Sequence, residues 1–240
     1  MILTAHQPTY LPWLGLFHKI ALADRFILFD QVQYVQKDWI SRNQIKTGSG
    51  PLLLTVPVLS KGCMDKKIAE VEIHNGLPWA RKHWKSILLN YRHAPYFATY
   101  ADFFEQTYAR EWKFLADLDL HMLEWFLRVL GIRTPVERAG AYRFHGAKSD
   151  LVVDMCVQLG AGVYIFGALG ADYADADAFR RAGVTPVFQN YVHPTYRQLH
   201  GEFAPFMSII DLLFNEGPRA LEVLMSGNID RASLETPQSP

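Results

Sequence analysis
The sequence predicts an α/β protein: a Rossmann-like sheet with a helical insertion and some antiparallel strands. Three observations predict it. The first thirty or so residues read as strand, turn, helix, strand, which is a βαβ unit. Two later apolar strands, "GVYIFG" and "VTPVFQNY", each follow a helical segment. Between these regions, from Trp79 to about Leu130, the pattern is helical throughout. The expected organisation is residues 1–77 as the first half of the α/β core and 78–135 as the insertion. Residues 136–230 form the second half, and 231–240 a frayed tail.

The elements follow in order. "MILTA" is a short buried strand, running into His-Gln-Pro-Thr-Tyr. "LPWLGLFHKIALA" places Leu14, Phe17, Ile20 and Ala21 at helical spacing. Pro12 suits a first helical turn, where its missing N–H costs nothing. "DRFILFD" is a second strand between Asp24 and Asp30. "DQVQYVQKDWISRNQIKT" alternates and is rich in β-branched and aromatic residues; "PLLLTVPVL" and "KIAEVEI" also read as strands around a turn. The insertion comprises "WARKHWKSILLNYRH", "ATYADFFEQTYAREW" and "DLDLHMLEWFLRVLGI", with Gly131 as the stop. Its Trp84, Tyr91, Phe103, Phe104, Trp112 and Trp125 are expected to pack. Then come the helix "SDLVVDMCVQLGA", strand "GVYIFG", short helix "DADAFRRAG", strand "VTPVFQNY" and apolar helix "FMSIIDLLFNEG". There is no internal repeat.

Bulk properties narrow the function. Twenty-four Lys and Arg balance twenty-four Asp and Glu, so the net charge is zero. Broad attraction to nucleic acid is not expected. No apolar run reaches the ~18 residues of a membrane helix, and no signal peptide is expected at the N-terminus. Cys63 and Cys156 lack metal-type spacing, and His74 and His83 are too scattered to suggest a metal. A cytoplasmic protein is expected. No G-x-S-x-G, H-E-x-x-H or G-x-G-x-x-G motif is present.

Candidate chemistry gathers at strand ends. In a doubly wound sheet the functional turn lies at the carboxyl end of a strand, beside a helix N-terminus. His6 and Gln7 fall there. His6 either caps the helix or binds an anion and moves a proton. Tyr10 and Trp13 suit an aromatic wall for a ring or sugar face. In "SRNQIKT", Arg42 is able to grip a carboxylate or phosphate, with Asn43 beside it; the alternative is a solvated hairpin edge. In "HGAKSD", Ser149 suits an N-cap, and Lys148 adds charge for a phosphate if the segment is more than a capped helix. "FGALGADY" supplies Gly167, Gly170 and Tyr173; "NYVHPTYRQ" supplies His193, Tyr196 and Gln198. His6, Arg42, the Gly167–Tyr173 loop and the His193–Gln198 loop are expected to border one cavity.

The ordered blocks "HQPTYLPWLGLFHKI", an Asp–Phe–Asp–Val–Tyr pattern over Asp24 to Tyr34, "RNQIK", "LTVPV", "YIFGALGADY", "VFQNYVHPTYRQ" and "SIIDLLFNEG" resemble the WbqC-like family. The resemblance runs from His6 to Gly217. Its blocks map onto His6, Gln7, Pro8, Tyr10, Trp13, Asp30, Arg42, Asn43, Lys148, Gly167, Tyr173, His193, Tyr196, Gln198 and Asp211. It implies a place in bacterial O-antigen or other surface-polysaccharide synthesis. It also implies transfer of glycine or another aminoacyl group onto an amino sugar. On that reading His6 and His193 are the catalytic candidates. Gln7, Tyr10, Trp13, Asp30, Arg42, Asn43, Lys148, Gly167, Tyr173, Tyr196 and Gln198 are the substrate-binding candidates. The partners would be an amino sugar or nucleotide sugar and an acyl donor, a charged tRNA being the one nucleic acid in prospect. No cofactor is specified beyond a nucleotide. The histidine-bearing turn is also reminiscent of adenylating nucleotidyltransferases, whose H-x-x-H spacing this chain lacks, Thr9 standing three residues after His6. A non-catalytic nucleotide-sugar or glycan-binding accessory is the remaining alternative.

Overall fold
The computed structural model describes residues 1–59 and 61–235. Among the described residues seven strands form two sheets: β1 (Ile2–His6), β2 (Arg25–Leu28), β3 (Arg42–Thr47), β4 (Gly50–Thr55), β5 (Val136–Arg138), β6 (Val163–Phe166) and β7 (Thr185–Phe188). The main sheet has the order β5-β2-β1-β6-β7, and every pair in it is parallel. β3 and β4 make a separate antiparallel hairpin. The architecture is therefore α/β, as the sequence predicts.

The strand order locates the site. Chain growth runs outward from β1 to β2 and β5, then crosses back to β6 on the other side of β1 and outward again to β7. The β1–β6 boundary is thus the topological switch point, where the loops at the strand ends diverge and leave a crevice. Both strands end on candidate residues, His6 and the turn after Phe166.

Side-chain alternation assigns the two faces. Leu3 and Ala5 of β1 and Ile27 of β2 enter a cluster with Val152, Met155 and Cys156 of helix α5 (Ser149–Leu159). That cluster also holds Phe179 of the short helix α6 (Ala176–Arg181). Phe26 and Leu28 face the opposite, larger core. There helix α1 (Leu14–Leu22) meets the three insertion helices α2 (Trp79–Tyr91), α3 (Phe97–Ala109) and α4 (Leu115–Leu130). Two C-terminal helices, α7 (Ile209–Glu216) and α8 (Ala220–Met225), complete it. Tyr91, Phe104 and Trp112 are buried; Trp84, Phe103 and Trp125 are partly buried and pack on the same core. Gly131 ends α4 in the left-handed region, its N–H bonding Arg128 and that of Ile132 bonding Leu127. No helix among the described residues is long and apolar enough to cross a membrane.

Four local expectations are corrected. "KIAEVEI" is no strand: Ile68–Glu70 is a 3₁₀ turn whose N–H groups reach Asp30 and Val32, and only isolated bridges at Glu72 and Ile73 follow. Ile68, Val71 and Ile73 are all buried, so their apolar pattern came from wrapping the core, not from pleating. Residues 30–41 are irregular and the strand begins only at Arg42. Pro12 precedes α1, whose cap is Trp13; the Pro12 carbonyl instead accepts the N–H of Ile209. Ser149 does not cap α5, because its Oγ accepts the N–H of Asp175, 2.8 Å away. At the C-terminus, Ala232–Glu235 form a short helix (α9) and Arg231 pairs with Asp24 at 2.5 Å. The rest of the expected frayed tail lies outside the described residues.

Candidate functional site
A cavity of about 690 Å³ opens at the switch point. Its lining includes His6, Gln7, Pro8, Thr9 and Trp13 from the motif after β1, and Tyr164, Phe166, Gly167 and Tyr173 from β6 and its following loop. Lys148 stands on the side of α5, and Asp38 and Trp39 on the side of the irregular loop.

β1 carries His6 to this point as its last residue. Its Nδ1 lies 2.8 Å from the Gln7 carbonyl, which only accepts, so Nδ1 carries the proton. Thr9 Oγ1 donates to the same carbonyl at 3.2 Å and fixes the turn. Nε2 is left as a lone pair with no partner among the described residues. Burial, with the positive charge of Lys19 next, lowers the imidazole pKa to about 4; the Gln7 bond opposes them. At neutral pH His6 is an uncharged base.

Lys19 is a cavity-lining residue that the sequence pattern did not single out. It sits in α1 among apolar neighbours, is only 2% exposed and borders the cavity. Its Nζ donates to the Ala5 carbonyl at 3.0 Å. Burial brings its pKa down to about 7. The one available signal was a lysine on the helix side that carries Leu16 and Ile20. Gln189, the first residue after β7, also reaches the cavity and ties it to α1, donating from Nε2 to the Gly15 carbonyl at 2.8 Å.

Two glycines have packing explanations. A Cβ on Gly15 would lie 2.3 Å from the Trp13 ring, so Gly15 lets Trp13 fold over α1 as a cavity wall. A Cβ on Gly170 would lie 2.4 Å from the Cβ of Phe166, so Gly170 accommodates that side chain and not a ligand. Gly167 has open space above it.

The remaining candidates lie elsewhere. Tyr10 is fully buried beside the cavity, its hydroxyl shared with His83 Nδ1 at 2.8 Å and with Tyr108. It anchors the motif to the insertion. Asp30 is buried and accepts from Arg138 Nε at 2.6 Å, joining the ends of β2 and β5. Arg42 donates to the Lys37 carbonyl and lies over the Trp39 ring. Asn43 Nδ2 donates to the Leu11 carbonyl at 2.7 Å, holding Leu11 at a φ of 45°. His193 is enclosed by Tyr196, Phe203 and Phe206, and burial lowers its pKa. Tyr196 and Gln198 both donate to Asp211 Oδ2, at 2.8 and 2.7 Å. The expectation of one rim is therefore corrected. His6 and the Gly167–Tyr173 loop share the cavity; Arg42 and the His193–Gln198 loop do not. β7 is an edge strand, and after Gln189 the chain turns toward α7.

Among the described residues, no group of three or more His, Cys, Asp or Glu side chains is placed to hold a metal. No solved structure matches the chain. "Uncharacterized protein Rv1507c" of Mycobacterium tuberculosis is 36% identical over 220 residues, covering 91% of this chain and 95% of that protein. The model of the WbqC-like protein family matches residues 7–223, a span that starts inside the motif after β1 and takes in both sides of the crevice. On that match and that relative, the chain belongs to the WbqC-like protein family.

Proposed function
We propose that the protein is an N-acyltransferase that joins glycine or another small acyl group to the amine of a nucleotide-linked amino sugar for surface-polysaccharide synthesis. The observation that supports this best is His6, a residue of the crevice lining whose Nδ1–H is committed to the Gln7 carbonyl and whose Nε2 has no partner among the described residues. In the reaction the amine nitrogen bonds to the acyl carbon, the donor's leaving group departs with the bonding pair, and the amine must lose a proton. His6 Nε2 accepts that proton. A crevice at this position suits a nucleotide-bearing substrate. Lys148, exposed beside the first turn of α5, is suited to a phosphate. Trp13, Trp39 and Tyr173 offer flat faces for a base or sugar.

The test incubates the purified protein with nucleotide-linked amino sugars, glycine and ATP, and seeks the amide product by mass spectrometry. Product that disappears with His6→Ala supports the reading. Pyrophosphate release without an amide would favour nucleotidyl transfer. Tight binding of a nucleotide sugar with no turnover under any donor would favour an accessory role.

A further inference from the structure
We propose that Lys19 is the anion-binding pole of the cavity: its buried ammonium receives an anionic oxygen group of the ligand beside His6. The proposal rests on the cavity being the ligand site and not on the acyl-transfer chemistry.

The geometry carries it. Lys19 is 2% exposed, yet no carboxylate pairs with it among the described residues. Among the described residues its single hydrogen bond goes to the Ala5 carbonyl, so two of the three N–H donors of the ammonium are unused there. A buried charge is ordinarily paired. Both Lys19 and Ala5 border the cavity, and the ammonium is near enough to His6 to act on its imidazole electrostatically. The other charged or titratable groups around the cavity do not neutralise it. Asp38 accepts the Trp39 N–H at 2.6 Å, Lys148 is itself a cation, and Tyr164 and Tyr173 are phenols held neutral by burial. On α8, which packs against α1, Glu222 pairs with Arg219. An incoming anion supplies the missing counter-charge.

The ligand chemistry is shared by a phosphate and a carboxylate, which belong to different parts of a transfer reaction. Binding also has a proton signature. With its pKa held near 7 by burial, Lys19 is largely neutral at pH 8, and an anion favours the charged form. Binding at pH 8 therefore takes up close to one proton, and affinity falls toward tenfold per pH unit above 7. His6, with a pKa near 4, contributes little at that pH.

The experiment is calorimetric titration of the whole chain with sulfate, whose charge is fixed across the range, from pH 6 to 9 in buffers of different ionisation enthalpy. Pyrophosphate and acetate arms at pH 6.5 distinguish phosphate from carboxylate. The expected result is saturable binding with proton uptake at pH 8 that fades toward pH 6, and at least tenfold weaker binding in Lys19→Met. Equal binding in a folded Lys19→Met protein overturns the proposal, as does the absence of binding by all three anions. If Lys19→Met does not fold, Lys19→Gln, which keeps an N–H donor without the charge, takes its place, and equal sulfate binding in that variant overturns the proposal. Anion binding without amide formation would leave this pole standing and remove the acyl-transfer reading.

Discussion
His6 separates a catalytic role from a scaffolding one. Its Nδ1 bond lies within its own turn, between neighbouring residues, so His6→Ala should leave the melting temperature nearly unchanged. Turnover per folded molecule should fall by ~10²–10⁴-fold if His6 is the base. A drop in substrate affinity with the maximal rate kept would mean ligand binding alone. Asp119 makes the contrasting case. It lies on the buried face of α4, both carboxylate oxygens lack partners among the described residues, and burial raises its pKa well above the usual range. A raised folded pKa means a contribution that is present below the unfolded pKa and lost as pH rises. Asp119→Asn removes that loss, so it should stabilise the protein at pH 7–8 by about 1–3 kcal/mol, with the gain shrinking toward pH 4. Urea unfolding at the two pH values checks this; equal stability at both would remove the argument. The placement of a candidate residue was legible where a strand end presents it, as at His6, which lines the cavity. It was not legible at Tyr10, four residues on, because sequence proximity does not say which side of a turn a ring takes. Nor was it legible at Lys19, where a charged side chain reads as a solvent-facing one.

At the scale of elements, the loop after β7 is held by a buried carboxylate. Asp211 in the first turn of α7 accepts from Tyr91 of α2 at 2.8 Å and from Tyr196 and Gln198 of the loop. One acceptor thus joins the insertion, the loop and a C-terminal helix. Asp211→Ala leaves three donors without it, and a stability loss of about 3 kcal/mol or more is expected. Anion binding per folded molecule should be unaffected, because none of the four residues borders the cavity. Lost binding in a folded variant would show that the loop shapes the site after all. This network explains why "HPTYRQ" looked functional in the sequence. Polar and aromatic residues after a strand mark a ligand loop or a buried polar joint equally well, and only the partner, Asp211, distinguishes them. The apolar runs of β1, β2 and β6 and the helical stripes were legible because these elements are buried; β7, at the sheet edge, is partly exposed and was marked by its β-branched and aromatic residues. The false strand at "KIAEVEI" shows the limit: a turn pressed on a core also alternates.

For the whole molecule, the switch point could not be read beforehand, since β2 and its partner β5 are separated by the hairpin and the insertion. Once the order is known, it explains why the motif comes first: β1 is central, so its end lies in the crevice. The same placement buries Lys19 and ties stability to pH. In the folded chain its pKa is about 7, whereas an unfolded lysine titrates near 10.4, so between these values the unfolded state binds more protons. Lys19 therefore destabilises the fold at neutral pH, and this penalty relaxes as pH rises through the window. Other groups titrate too. The pKa of His83, like that of His6, is lowered to about 4, mainly by burial, while those of Asp119 and Asp211 are raised, so their slopes oppose one another on the acid side. A difference between two proteins isolates the lysine. Lys19→Met should be more stable than wild type at pH 7, and its advantage should shrink at up to about 1.4 kcal/mol per pH unit toward pH 10. Denaturant unfolding at one-unit intervals measures it, and a constant difference would mean that the lysine is not titrating inside the fold. Sulfate should reduce the same advantage at pH 7, because a bound anion stabilises the wild-type ammonium and has no such partner in the variant. On the proposed role, the stability that burial of Lys19 costs is recovered when an anion binds beside it.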